Sequence, residues 1–221
     1  SQLAAMGLYD DEAPCAGVVT GIVKPANFEG PHYRFSLPVE TKQPRVSVHA
    51  RFFVPHPQLW WPVYLGPQNL YDLGLSFHSD NLTHDATWTR FGIRTIAMAP
   101  LPDGPRPDLY NWPFVINGRP AFLKGGTWAT TDAFLRLTPD RYRRFLTMAR
   151  DEHIQIMRSW GGGLLETDTF YGLCYELGIM VWQDFMFACS MYPADSSFVV
   201  NVINEAEEQT VRLRNHPCIA L

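Results

Sequence analysis

The sequence predicts a mixed β and α/β chain, in which an all-β part is followed by a part where strands and helices alternate. Fifteen of the 18 prolines fall in the first 120 residues, and short alternating strands lie between them. From Thr138 onwards, helix signals alternate with short apolar runs. We therefore expect a β-sandwich over residues 1–99, a linker over 100–112 and a parallel α/β region over 113–221.

The expected sandwich strands are short and alternate between apolar and polar side chains. Residues 45–54 and 72–77 are two examples. The stretch 99–107 is too rich in proline for an interior strand or helix. It predicts a linker or a long surface loop between the two parts.

Three helices are predicted in the second part. The first begins at Thr138-Pro139-Asp140, which offers an N-cap hydroxyl, a proline at the first helical position and a carboxylate at the positive end of the dipole. Apolar residues at helical spacing mark the three helices: Tyr142, Phe145, Leu146 and Ala149; Phe170, Leu173, Cys174 and Leu177; and Val199, Val202, Ile203, Ala206 and Leu213. Gly178 is expected to end the second helix.

Short apolar runs between these helices predict strands over 154–157 and 179–182, and residues 218–221 resemble the first residues of a fourth strand. Alternating strands and helices are typical of a parallel sheet with right-handed crossovers. A closed eight-stranded barrel needs about 250 residues. About three βα units fit here, so a barrel would be less than half present.

Composition excludes several classes of function. The net charge is -4, and the 15 arginines and 3 lysines form no long run, so we expect no nucleic-acid partner. No apolar run approaches the roughly 20 residues that span a bilayer, so we expect a soluble protein. Residue 1 is serine and no leader pattern follows, which leaves cytoplasmic, periplasmic and secreted locations open.

Cysteines and histidines give no metal signal. The four cysteines form no Cys-x-x-Cys pair, and the seven histidines show no ligand spacing. Cys174 and Cys189 lie in apolar segments and are expected to be buried free thiols. We therefore expect neither a metal ion nor another cofactor.

Polar, aromatic and glycine residues follow two of the predicted strands, in the segments 158–163 and 181–189. In a parallel α/β barrel the strand ends carry the site, and a charge there is costly unless it is paired or used. These segments therefore predict a sugar-binding mouth. Gly161, Gly162 and Gly163 are expected to form a loop with positive φ or a close backbone approach. The alternatives are that Arg158 forms a structural ion pair with Asp184 or Glu166, and that Trp160 and Trp182 fill a core.

Several motifs occur in an order that resembles the β-mannosidase branch of glycoside hydrolase family 2. The match runs from about residue 50 to the end, and its motifs lie at 59–62, 66–71, 90–94, 116–120, 124–128, 158–163 and 181–185. The resemblance implies an immunoglobulin-like β-sandwich and a (β/α)8 barrel, with retaining hydrolysis of β-linked sugars through two glutamates. Both glutamates would lie beyond Leu221. No catalytic residue is therefore expected within the chain, and the chain alone is expected to be inactive.

The resemblance also implies roles for residues at the strand ends. Asp132 matches a position that contacts sugar hydroxyls, and Trp128 and Trp160 offer flat faces for a sugar ring. Arg158, Glu166 and Asp184 would form a supporting shell. Position alone would suggest that two of the carboxylates Asp132, Glu166 and Asp184 act as acid and nucleophile. The resemblance argues against that pairing, because it places both catalytic glutamates beyond Leu221. The alternatives are that Asp132 caps a turn and that both tryptophans fill a core.

Departures from the family pattern leave the sugar open. The chain reads Gly-Thr-Trp-Ala-Thr-Thr-Asp at 126–132 where the family usually reads Gly-Ala-Asn-Trp-Ile-Pro-x-Asp. It has Tyr175 where the family usually has aspartate, and His153 and Gln155 where the family has asparagines on the second strand. The resemblance implies a parent enzyme acting on β-mannosides, with a β-linked glycoside as partner and a homo-oligomer as one possible assembly. The alternatives are a non-catalytic carbohydrate-binding or scaffold protein, and a β-galactosidase, β-glucuronidase or exo-β-glucosaminidase of the same family.

Overall fold

A computed structural model describes residues 15–43, 46–80, 82–100 and 112–221. The chain divides into two compact units. The first comprises Ser1–Gln58 and Asn69–Phe91, and the second comprises Leu59–Gln68 and Gly92–Leu221. Most of the predicted linker, residues 101–111, lies outside the described residues.

Over its described residues, the first unit contains one antiparallel four-stranded sheet. Its strands are β1 (Cys15–Pro25), β2 (Tyr33–Thr41), β3 (Tyr71–Ser79) and β4 (Leu82–Phe91), in the order β2-β1-β3-β4. β1 and β3 are therefore the inner strands, and Val23 of β1 is fully buried. A bulge interrupts the β3–β4 ladder between Phe77 and His78. The predicted strand at 72–77 is confirmed, since it lies within β3.

The strand predicted at residues 45–54 is not present over the described residues 46–54. This segment forms no ladder, although the Phe52 ring stacks on Phe35 of β2 at a centroid distance of 5.6 Å. Val46, Phe52 and Phe53 are 40%, 43% and 81% exposed. The alternating pattern is therefore present without a ladder and without a buried face.

A small antiparallel sheet belongs to the second unit. It consists of β5 (Ile96–Met98), β6 (Phe114–Ile116) and β7 (Arg119–Ala121), in that order. Asn117 and Gly118 join β6 to β7 with φ of 49° and 76°. Two positive φ values in a two-residue loop match the twist of a hairpin, and Asn-Gly is the sequence that tolerates them best.

The parallel sheet of the second unit follows the predicted alternation. Its strands are β8 (Gly125–Trp128), β9 (Ile156–Ser159) and β10 (Met180–Gln183), in the order β10-β9-β8. The helices α1 (Pro139–Asp151) and α2 (Asp168–Leu177) connect them, and α3 (Ser196–Leu213) follows β10. Ile219 then pairs with Val181 in a parallel bridge. The residues expected to open a fourth strand therefore form one bridge to β10, and the strand itself stays a prediction.

The local signals for the helix ends are confirmed. Thr138 is the N-cap of α1, and its side chain accepts a hydrogen bond from the Arg141 N–H. Gly178 ends α2 in the left-handed conformation with φ of 75°. A Cβ at Gly178 would lie 2.6 Å from the Val63 nitrogen, so the position requires glycine for its conformation and for space.

The apolar stripe of α3 is partly buried. Val199 and Ile203 are 44% and 51% exposed, Val202 and Ala206 are half-buried, and Leu213 is buried. The spacing predicted the helix, which is present. Packing of the stripe depends on neighbouring elements, and those that the structure describes cover it only at Leu213 and in part at Val202 and Ala206.

The thiols divide between core and surface. Cys174 and Cys218 are buried and free, whereas Cys189 is exposed. The prediction of a buried thiol is confirmed for Cys174 and is wrong for Cys189. The apolar run around Cys189 lies in irregular chain after β10, where the described elements do not cover it.

Segment 59–68 is anchored on α2 within the second unit. Trp60 is fully buried, and its indole N–H donates to the Tyr175 carbonyl oxygen at 2.9 Å. The Val63 N–H donates to the Gly178 carbonyl oxygen at 2.8 Å. Trp60, the first of the two tryptophans at 60–61, is therefore a core residue, and its segment is hydrogen-bonded to the C-terminal end of α2.

Candidate sugar-binding strand ends

The register of the parallel sheet sorts the site candidates onto two faces. Thr127, Arg158 and Trp182 are in register, and Trp128, Ser159 and Gln183 form the next row. Successive side chains of a strand point to opposite faces. Trp128 and Ser159 are buried, whereas Arg158 and Trp182 are exposed. The first row thus lies on the exposed face and the second on the face that helices cover.

Trp128 is buried in an aromatic cluster on the covered face. It is 7% exposed, and its ring packs against Phe170 of α2 at a centroid distance of 5.0 Å. Its indole N–H donates to Glu166 Oε1 at 2.9 Å, and the hydroxyl of Tyr142 on α1 donates to Glu166 Oε2. This placement corrects the expectation of a sugar platform at Trp128. Its faces are used in packing, as the core-filling alternative requires.

Glu166 is 1% exposed and lies in the same cluster. Its carboxylate is paired with an indole and a phenol and not with Arg158. Burial, together with the hydrogen bond to Glu166, raises the pKa of Tyr142. Tyr142 therefore stays protonated and acts as a donor throughout the physiological pH range. Sequence reasoning missed Tyr142 because nothing in its helical spacing indicates a hydroxyl partner.

Arg158 and Asp184 form a two-point ion pair across the ends of β9 and β10. Arg158 Nε and Nη2 lie 3.1 and 2.8 Å from the two Asp184 oxygens. Asp184 Oδ2 also accepts the Gly161 N–H at 3.2 Å, so the carboxylate ties the triglycine turn to β10. The Arg158 guanidinium lies 5.5 Å from the Trp182 ring centroid. Of the partners considered for Arg158, the structure shows Asp184.

Trp160 lies in the turn after β9 and is partly exposed. Its main-chain N–H donates to the Trp128 carbonyl oxygen at 3.1 Å, which ties the turn to the end of β8. A Cβ at Gly162 would lie 2.3 Å from the Trp160 ring, and one at Gly161 would lie 2.3 Å from the Phe185 carbonyl oxygen. Of the two expected reasons for the triglycine run, the structure therefore shows the close approach.

Asp132 is held in the loop between β8 and α1. Its side chain is 2% exposed, Oδ1 accepts the Phe134 N–H at 2.8 Å, and Oδ2 pairs with Arg136 at 2.8 Å and with Arg141. Burial opposes ionisation of Asp132, but the Phe134 N–H and the two guanidinium groups outweigh it and lower its pKa. Asp132 is ionised near neutral pH. The turn-capping contact that was the alternative expectation is present.

Two classes of feature are not found over residues 15–43, 46–80, 82–100 and 112–221. Within these ranges, no three His, Cys, Asp or Glu side chains lie close enough together to hold a metal ion. Of the helices so described, none has both the length and the apolar character that crossing a membrane requires.

Comparison with known proteins identifies the family of this chain. The profile of glycosyl hydrolases family 2 matches residues 15–94. A β-mannosidase B of Emericella nidulans is 39% identical over 171 residues, which is 77% of this chain and 20% of the relative. This chain belongs to glycoside hydrolase family 2. Another relative, a β-mannosidase of Capra hircus, is 42% identical over 163 residues, or 73% of this family 2 chain and 18% of the relative.

Solved structures agree with the family 2 assignment. A β-D-mannosidase of Dictyoglomus thermophilum superposes with a TM-score of 0.71 at 31% identity, covering 99% of this chain and 28% of that one. An exo-chitosanase of Amycolatopsis orientalis has a TM-score of 0.74 at 23% identity, covering 95% of this chain and 24% of that one. The latter likeness shows the fold alone. The chain spans about a fifth of the length of the curated relatives it matches.

Proposed function

We propose that the protein containing this chain is a retaining exo-β-mannosidase. In this proposal residues 1–99 form an immunoglobulin-like sandwich, although residues 59–68 and 92–99 of this range belong to the second compact unit. Residues 100–112 form a linker, and 113–221 form the first three βα units of a (β/α)8 barrel with the start of the fourth strand. The observation that carries the proposal is the order of the parallel strands. β8, β9, β10 and Ile219 are neighbours in chain order, and Trp160 and the Arg158–Asp184 pair lie where β9 and β10 end. Barrel enzymes build their sites at that edge.

The relatives supply the sugar of the proposal. The curated relatives given above carry the name β-mannosidase at 39% and 42% identity. Hydrolysis with retention needs two carboxyl groups about 5 Å apart on either side of the glycosidic bond. We place both outside residues 1–221.

The partners of the carboxylates support that placement. Asp132 is occupied by two guanidinium groups and a main-chain N–H, Asp184 by Arg158 and the Gly161 N–H, and Glu166 by Trp128 and Tyr142. A general acid needs a raised pKa and a free path to the substrate oxygen. Arg136 and Arg141 instead lower the pKa of Asp132, which is the opposite of what a general acid needs.

The complete protein tests the proposal directly. It should hydrolyse a nitrophenyl β-mannoside at least about tenfold faster, by kcat/KM, than the matching β-glucoside, β-galactoside and β-glucuronide. Proton NMR of the first product should show the β-anomer, as retention requires. Equal turnover of another β-glycoside would contradict the proposed preference for mannosides. If none of these glycosides is hydrolysed, the alternative of a carbohydrate-binding protein is favoured. The chain 1–221 alone should show no turnover above a mock preparation.

Trp160 and Asp132 are the proposed sugar contacts within this chain. Trp160 is partly exposed beside the strand ends. The Asp132 side chain is 2% exposed and already paired with Arg136, Arg141 and the Phe134 N–H, so in this proposal a sugar hydroxyl displaces one of these partners from the carboxylate. Asp132→Asn should lower kcat/KM by about tenfold or more if the carboxylate binds a hydroxyl in the transition state.

Arg136→Gln is the matched control for Asp132. It removes one of the ion pairs of Asp132 while keeping the carboxylate, and the Arg136 side chain is 66% exposed. Activity within about threefold of wild type is expected for Arg136→Gln. Equal losses in the two variants, with parallel losses of melting temperature, would reduce Asp132 to a residue that holds its loop.

A further inference from the structure

The carboxylate of Glu166 lies in the protein interior beneath the end of β8. Glu166 is 1% exposed, and its two oxygens accept the Trp128 indole N–H at 2.9 Å and the Tyr142 hydroxyl. A buried carboxylate is costly unless its oxygens are hydrogen-bonded. Both oxygens are used, by donors on β8 and α1. The interaction thus fixes the side chain of Glu166 against the last residue of a strand.

The main chain of Glu166 is held independently. The Arg212 guanidinium of α3 donates to the Glu166 carbonyl oxygen at 2.7 Å and to Asp168 Oδ1 at 2.7 Å. Asp168 is the first residue of α2. Glu166 is therefore fixed at its backbone as well as at its carboxylate, and it can impose a position on the indole that it binds.

The main chain of Trp128 is connected directly to both candidate sugar contacts. Its carbonyl oxygen accepts the Trp160 N–H at 3.1 Å. Asp132 follows four residues later along the same loop, and the Leu135 N–H returns to its carbonyl oxygen at 2.9 Å. The main chain that presents Trp160 and Asp132 thus starts from the residue whose side chain Glu166 holds.

We propose that Glu166 is a positioning residue, whose hydrogen bond to Trp128 fixes the end of β8 and so the placement of Trp160 and Asp132 against the sugar. This inference rests on the proposed function. Glu166 touches neither the sugar nor the reacting atoms. Small displacements of groups that orient a substrate lower the rate of the chemical step, because the reacting geometry is reached less often.

The test compares two ways of breaking the hydrogen bond in the complete protein. Glu166→Ala removes the acceptor, and Trp128→Phe removes the donor while keeping an aromatic ring. Each should lower kcat/KM on the β-mannoside by about tenfold, mainly through kcat, and the double variant should lose no more than the larger single loss. Glu166→Gln keeps an oxygen for the indole and should restore activity to within about threefold of wild type.

Leu146→Ala separates positioning from stability. Leu146 is fully buried on α1, one turn beyond Tyr142, so its truncation should lower the melting temperature. Its kcat/KM should stay within about threefold of wild type when measured well below the melting temperature. Activity losses in Leu146→Ala equal to those in Glu166→Ala, full activity in Trp128→Phe, or additive losses in the double variant would each overturn the inference.

Amide hydrogen exchange gives a readout that needs no activity. The Trp160 N–H should exchange at least about tenfold faster in Glu166→Ala and Trp128→Phe, and it should be unchanged in Glu166→Gln. An unchanged rate in the first two variants would refute positioning even in a fully active enzyme. If the wild type hydrolyses no β-mannoside, the proposed function fails, whereas the exchange rates still decide whether Glu166 fixes the strand end.

Discussion

Raising the pH from about 8 to about 10 should destabilise the second unit, because the thiol of Cys218 ionises more readily in the unfolded chain than in the folded protein. Cys218 is fully buried in the turn that follows α3, and its carbonyl oxygen accepts the Val181 N–H of β10 at 2.7 Å. Burial raises the pKa of the thiol from its ordinary value of 9.0 to about 12. The folded state therefore keeps a proton that the unfolded chain loses, so this stability is complete below about pH 9 and declines as the pH rises towards about 12.

The magnitude follows from the two pKa values of Cys218. At about pH 10, roughly ten of every eleven unfolded thiols are ionised and almost no folded ones are, which favours unfolding by about 1.4 kcal/mol. At about pH 8 the same calculation gives less than about 0.1 kcal/mol. Burial also raises the pKa of Cys174 and Tyr171, so the wild-type chain alone would report a sum.

The variant Cys218→Ala, compared with the wild type, removes this thiol together with the part that its charge plays in raising the pKa of Cys174 and Tyr171. Both proteins are unfolded in urea with reductant present, and the helix signal in far-ultraviolet circular dichroism is followed because all the described helices belong to this unit. Between the two pH values the wild type should lose about 1.3 kcal/mol more of its free energy of unfolding than Cys218→Ala. Equal losses in the two proteins would refute the argument, since the thiol would then titrate alike in both states.

Three further substitutions test the packing that holds the strand ends, each by urea unfolding. Trp60→Phe removes the hydrogen bond to the Tyr175 carbonyl oxygen and should cost about 1–3 kcal/mol; no change would mean that water replaces the bond. Gly178→Ala should cost more than about 1 kcal/mol, because φ is 75° and the added Cβ meets the Val63 nitrogen; a gain in stability would contradict the contact. Thr138→Ala removes the N-cap of α1 and should cost about 1 kcal/mol, and a neutral result would show that the cap is dispensable.

The elements that could be predicted from the sequence are those with local signals. Thr138 begins α1 and Gly178 ends α2, in both cases through contacts within one helical turn, and the structure shows both of these helix ends. Residues 218–221 were expected to open a fourth strand, and Ile219 pairs with Val181. For the two helix ends the physical cause lies within a few residues of the signal, whereas for residues 218–221 only the apolar run is local and the pairing partner lies in β10.

The orientation of Trp128 could not be predicted in the same way. β8 reads Gly-Gly-Thr-Trp, and it contains no alternation of apolar and polar residues that would tell which face Trp128 takes. Its partner Glu166 is 38 residues away, and Tyr142 completes the cluster from α1. A contact across three elements leaves no pattern within any one of them, so the covered face became visible only in the strand register.

The row of residues across the exposed face of the parallel sheet has a consequence for how this family can change. Thr127, Arg158 and Trp182 occupy one row, and the Arg158 guanidinium lies 5.5 Å from the Trp182 ring centroid while it pairs with Asp184. The ring and the carboxylate together set the orientation of the planar guanidinium. Replacing Trp182 by a small side chain would remove one of these two contacts. Relatives that alter one member of this row should therefore carry a compensating change in its neighbour, and swapping a single residue between them should cost more than swapping the pair.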